Sequence, residues 1–190
     1  MAANIEGLRV AILVADGFEQ QELTDPRSAL DEAGAVTQIV SPVDGEVEGW
    51  NHYEKGDKFP VDVALADADV DDFDALLLPG GVANPDQLRM NSEAVDFVRS
   101  FFDDGKPVAV ICHGSWTLID AGVVSGREIT SWPSLKQDLI NAGAKWVDEE
   151  VVVDNGLVSS RNPDDIPAFN RKMIEEFAEG VHTRGRSAGS

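Results

Sequence analysis

A mostly parallel β-sheet covered by helices, the α/β class, is the fold this sequence predicts, and three observations predict it. Short apolar runs alternate along the chain with segments of helical period. Those runs are mostly apolar, as strands covered on both faces are, and lack a regular alternation with polar residues. The 190 residues are 43% hydrophobic, enough for one domain with a sizeable core.

Taken in order, "LRVAILVA" (8–15) reads as a fully buried strand. A helix follows, with Asp25 and Pro26 suited to its cap and first turn and Gly34 to its end. "VTQIV" (36–40) is the next strand. Residues 42 to 73 carry less pattern, with a plausible strand around Val61 to Leu65 and no helix. The acidic stretch there opens like a calcium loop at Asp67. However, Asp72 holds the place of the required glycine and Leu78 that of the bidentate glutamate, so it reads as a solvated connection.

"DALLL" (74–78) returns to strand. "NSEAVDFVRSFFDDG" is a helix capped by Ser92, with Val95, Val98 and Phe102 on one face and Gly105 as its stop. "PVAVIC" (107–112) is a strand that turns at once into the helix "SWTLIDAG" (115–122), and "SLKQDLINAG" (134–143) is a further helix ending in glycine. Asn155-Gly156 in "VVVDNGLVSS" marks a two-residue hairpin. The last helix, about 165–178, aligns Ile166, Phe169, Met173 and Phe177. One domain over 1–179 is expected, and residues 180–190, poor in apolar side chains, are expected to form a flexible tail.

Thirty-five acidic residues against 15 Lys and Arg give a net charge of −20. Nucleic acids and anionic membranes are bound by cationic patches and are excluded as partners. The acids spread over the whole chain, which points to adaptation of the entire surface, as in a halophilic cell where salt screens repulsion. No apolar run approaches the roughly 20 residues of a membrane helix, and a soluble, cytoplasmic protein is expected. The single cysteine excludes an intramolecular disulfide, and neither C-x-x-C nor H-E-x-x-H occurs, so no metal is expected.

In open parallel sheets, ligands sit beyond the carboxyl ends of the strands. Three such ends carry chemistry here. The first is followed by "DGFEQQEL" with Glu19, the second by "PGGVANPDQ" with Gly80, Gly81 and Asp86, and the third by Cys112-His113-Gly114. Cys112 admits two readings, a buried filler or a nucleophile on a sharp turn whose following N–H groups favour the thiolate. His113 is either a turn residue or the base that polarises the thiol. "PGG" is either a turn or, with the N–H of His113, an oxyanion hole. Glu19 is either one more surface acid or a partly desolvated proton donor to the sulfur, and Asp86 could orient His113.

"DGFEQQEL", "LLLPGGVANPDQLR", "VAVICHG", "TSWPSLKQDLINAGAKWVDEEVVVD" and "LVSSRNPDDIPAFNR", in this order, resemble the PfpI branch of the ThiJ/PfpI superfamily. The resemblance implies a flavodoxin-like sandwich with Cys112 on a nucleophile elbow, His113 beside it and Glu19 as the acid that contacts the thiol. It further implies a homodimer, with hexamers in some members. Asp86 stands where peptidase-like members carry a glutamate that completes a triad across subunits. Ser115 stands in place of a proline and Trp132 in place of a tyrosine, and indole cannot act as an acid at neutral pH.

Members of the superfamily resemble glyoxalases, deglycases and intracellular peptidases, and others are redox sensors or chaperones. The leading expectation is a stress-response enzyme acting on a small carbonyl substrate through a hemithioacetal at Cys112, with no cofactor. A cysteine peptidase acting on peptides is the alternative, and a sensor in which Cys112 is oxidised to a sulfinate stands third.

Overall fold

The computed structural model describes residues 3–182. Of the tail expected to be flexible, residues 183–190 lie outside the described residues. In chain order the elements are β1 (Arg9–Leu13), β2 (Phe18–Glu19), α1 (Gln20–Glu32), β3 (Val36–Ser41), β4 (Glu46–Asn51), β5 (Glu54–Pro60), β6 (Val63–Ala64) and β7 (Ala75–Leu78). There follow α2 (Ala83–Leu88), α3 (Ser92–Asp103), β8 (Val108–Ile111), α4 (Ser115–Asp120), β9 (Glu128–Ile129), α5 (Lys136–Asn141), β10 (Lys145–Trp146), β11 (Val152–Asp154), β12 (Leu157–Ser160) and α6 (Ile166–Glu179).

The central sheet runs β11-β12-β8-β7-β1-β3-β6, parallel except for the β11–β12 hairpin. Its five long parallel members follow the order of doubly wound, flavodoxin-like sheets. Side chains of successive strand residues leave on opposite faces, which divides the core in two. Ala11, Leu13, Leu76 and Val110 pack with Val98, Phe101 and Leu118 on one side. Val10, Ile12, Leu77 and Ala109 pack with Leu23, Phe169, Met173 and Phe177 on the other. Helices therefore cover both faces; β7 and β8 are buried throughout, while β1 is exposed at Arg9 and β3 is exposed at Val36 and only partly covered at Thr37 and Gln38.

Two helix starts differ from the sequence expectation. α1 begins at Gln20, so Pro26 lies inside the helix, where its ring removes one N–H. The earlier turn places Leu23 in the core, where its burial favours the helix, and carries Glu22 inside with it. α3 is capped by Asn91, whose side chain accepts from Ala94 N at 3.1 Å, with Ser92 as first helical residue. Between Ser41 and Ala75 the chain builds a separate hairpin, β4–β5, which pairs with β2. The strand expected at Val61 to Leu65 is the two-residue β6, followed by single 3-10 turns at Leu65–Asp67 and Val70–Asp72.

Candidate active site

β8, β7 and β1 are adjacent, so the three strand ends meet. β8 stops at Ile111, and Cys112 takes φ 62, a left-handed conformation that costs a non-glycine residue energy. A 3-10 turn, Cys112–Gly114, leads into α4. Gly114 allows that turn to close, since a Cβ there would lie 2.9 Å from Leu78 O and Val110 Cγ2. The Cys112 side chain is 6% exposed and its Sγ lies 3.1 Å from His113 Nδ1. The cysteine and the imidazole expected to act together are thus neighbours both in sequence and in space.

The acid beside the sulfur is Glu22, not Glu19. Fully buried, Glu22 accepts from Gly80 N through Oε1 at 3.0 Å and hydrogen-bonds with Cys112. Burial, reinforced by the nearby Glu19 charge, pushes its pKa up from the usual carboxylate range to about 8. Glu19, the last residue of β2, is engaged by the β4–β5 hairpin instead: its Oε2 accepts from His52 N at 3.2 Å, and Oε1 lies 3.6 Å from His52 Nδ1. Glu19 lies on the crevice wall, whereas Glu22, the third residue of α1, is buried beneath it.

The thiol itself reverses an expectation. Burial, and next the Glu22 carboxylate, drive the Cys112 pKa well up, against the pull of the Gly81 and His113 N–H groups that hydrogen-bond to the sulfur. Glu22 and Cys112 therefore both hold their protons at neutral pH. The expectation of Gly80 as an oxyanion donor is corrected, because its N–H is taken by Glu22; the N–H groups of Gly81 and His113 point at the sulfur instead. Gly81 has φ 77, and a Cβ there would meet Glu19 N and Gly17 O at 2.6 Å. Asn84, which sequence reasoning missed, clamps this loop. Its side chain donates to Pro79 O and Gly80 O, both at 3.1 Å, and accepts from Ala15 N at 2.7 Å.

His113 stacks on Trp132, with centroids 5.7 Å apart, and meets Trp116 edge-on at 5.2 Å. Burial lowers its pKa to about 4, so the ring is neutral near pH 7 and can accept a proton. Trp132 is thus a wall for the imidazole. Asp86, on α2, lines the same crevice, but among the described residues it makes no hydrogen bond to His113 within the chain. The crevice encloses about 580 Å³ in front of Cys112, with Trp50, His52, Tyr53, Asp86 and Trp132 among its walls. Glu176, Glu179 and His182 bring ligand atoms within 4.8 Å of one another, but at the end of α6, outside that crevice. The described residues contain no helix long and apolar enough to cross a membrane.

Comparison with known proteins agrees with this geometry. The model of the DJ-1/PfpI family matches residues 8–176. The deglycase PfpI of Pyrococcus furiosus is 43% identical over 168 residues, covering 88% of this chain and 98% of that protein. YraA of Bacillus subtilis, named as a candidate cysteine protease, is 45% identical over 167 residues, covering 87% and 96%. Among solved structures, Drosophila melanogaster DJ-1beta superposes with a TM-score of 0.81 at 30% identity, covering 90% of this chain and 91% of that one. With a strained cysteine on the elbow, a buried carboxyl at its sulfur and a match along most of its length, the chain belongs to the DJ-1/PfpI family.

Proposed function

We propose that the protein is a cysteine-dependent enzyme of reactive carbonyls, of the glyoxalase or deglycase type. One observation carries the reading: the Cys112 sulfur, held between the His113 imidazole and the protonated Glu22 carboxyl, opens onto a crevice large enough for a small carbonyl compound. Relatives named as deglycases support it.

With methylglyoxal, the sulfur attacks the aldehyde carbon while His113 Nδ1 takes the thiol proton. The carbonyl oxygen, held by the N–H groups of Gly81 and His113, gains a proton from Glu22, and the product is a hemithioacetal. Loss of the C1 proton and its return at C2 convert this to a lactoyl thioester. Water then cleaves the thioester to lactate, returning a proton to the sulfur. The sum is methylglyoxal plus water to lactate, with no external oxidant or reductant.

The test is lactate production from methylglyoxal by the wild type, Cys112→Ala and Glu22→Gln, with casein cleavage followed in parallel. Cys112-dependent lactate is the expected result. The peptidase reading rests on the 3.1 Å Cys112–His113 pair and on the likeness to YraA, and casein cleavage without lactate would establish it instead.

A further inference from the structure

Away from the crevice, the end of α6 gathers three groups able to hold a cation. Glu176 and Glu179 stand three residues apart and so share one face of the helix. Gly180, with φ 76, ends α6, and the chain beyond it brings His182 against both carboxylates. The fold itself holds His182 there. Its N–H donates to Gly105 O at 2.7 Å, a Cβ at Gly105 would collide with the His182 carbonyl oxygen, and one at Gly156 would come within 3.0 Å of the ring. Gly105 and Gly156 precede the parallel strands β8 and β12, whereas Cys112 follows β8, so the cluster lies at the opposite end of the sheet from the sulfur.

The spacing of the three ligand atoms is that of a coordination shell. His182 Nε2 is 3.3 Å from Glu176 Oε2 and 3.5 Å from Glu179 Oε2, and all three atoms lie within 4.8 Å of one another. Ligands at about 2.0–2.2 Å around a tetrahedral zinc ion stand about 3.3–3.6 Å apart, whereas N–H···O hydrogen bonds are shorter, at about 2.7–3.2 Å. Nε2 is shut off from solvent and makes no hydrogen bond among the described residues. A buried ring nitrogen left so is costly, and it calls for a partner of another kind. Glu176 is only 8% exposed; burial, and next the charge of Glu179, raise its pKa, and a cation between the carboxylates would offset both. Lys106 and Arg127 line a small hollow with His182 and donate to the carbonyls of Val70, Val123 and Asp154.

We infer that Glu176 Oε2, Glu179 Oε2 and His182 Nε2 form a site for a divalent ion of the zinc class, with water completing the shell, and that the ion fastens the end of α6 to the strand starts at Gly105 and Gly156. One imidazole with two carboxylates suits zinc and its transition-metal neighbours, whereas magnesium and calcium favour six or more oxygens. No signature in the sequence announces the site, since Gly180 breaks the helical spacing between the second glutamate and the histidine.

The experiment titrates Zn²⁺ calorimetrically into the metal-free, full-length Cys112→Ala protein, which lacks the one thiol able to compete, with excess Mg²⁺ present to occupy the acidic surface at large. One Zn²⁺ per chain is expected. His182→Gln and Glu179→Gln should each weaken its binding by about 10-fold or more, at least as much as loss of a group that merely orients a ligand. Glu175→Gln removes an equal charge from the same helix, outside the cluster, and should leave the affinity within about 2-fold. Glu179 is exposed, so its variant keeps the fold even if His182→Gln loosens it. At a zinc concentration about 100-fold above the binding midpoint the melting temperature should rise by about 5 °C or more, and His182→Gln should abolish the rise. No zinc binding in the presence of Mg²⁺, or binding as strong in His182→Gln and Glu179→Gln as in Glu175→Gln, overturns the inference.

Discussion

Glu22 and His113 set the protonation window of the site. A proton donor must be protonated to act, so activity should fall as pH rises through about 8, where Glu22 ionises. A base must be free to accept, so activity should also fall as pH drops through about 4, where His113 charges. We expect a bell-shaped rate profile between these values, and Glu22→Gln should remove its alkaline limb and lower the rate by about 10²-fold or more, as loss of a general acid does. The same carboxyl bears on stability. Its folded pKa lies above the usual 4.5, so the folded state binds more protons than the unfolded one between pH 4.5 and about 8. Stability from this group is full below 4.5 and lost as pH rises to about 8. Melting temperatures of Glu22→Gln over that range should show a flatter profile than wild type. Both glutamates of "EQQEL" are legible in the sequence, yet the choice between them was not. With α1 begun at Gln20, Glu22, Pro26 and Leu30 fall on the buried stripe, and a buried acid would have stood out. The proline, read as a helix start, hid that stripe.

At the scale of elements, the four central strands and the Asn155-Gly156 hairpin were legible because each carries a signal of its own: an apolar run, or a turn pair able to adopt positive φ. Asn155 and Gly156 indeed have φ 46 and φ 85. The β4–β5 hairpin was not, since β5 is largely exposed and its turn, His52-Tyr53, lacks a glycine. Its pairing with β2 and the contact of His52 with Glu19 hold it, and neither leaves a pattern in sequence. The loop after β7 makes a sharper prediction. Gly81→Ala would place a methyl group against backbone atoms of Glu19 and Gly17 and force an unfavourable φ. Denaturant unfolding should show a loss of about 1–3 kcal/mol, and Cys112 alkylation should slow as its N–H donor moves. Asn91→Ala offers a contrast, since loss of the α3 cap should cost about 1 kcal/mol while the alkylation rate stays as in wild type.

Over the whole molecule, a net charge of −20 on 190 residues is the dominant electrostatic fact. Ion pairs such as Arg161 with Asp148 and Asp165 use some of the cations, and the excess of carboxylates repels itself. We propose that the surface is built for molar salt, and the melting temperature should rise between low salt and about 2 M KCl as the Debye length shrinks to about 3 Å or less. A flat or falling curve would refute this. The fold class was legible because strands without polar alternation need helices on both faces, whereas the strand order was not, and the surface was legible only as a sum of charges. A sulfur whose burial keeps its hydrogen in place at neutral pH is a slow scavenger, so the folded protein should consume electrophilic reagents less readily than a small free thiol does.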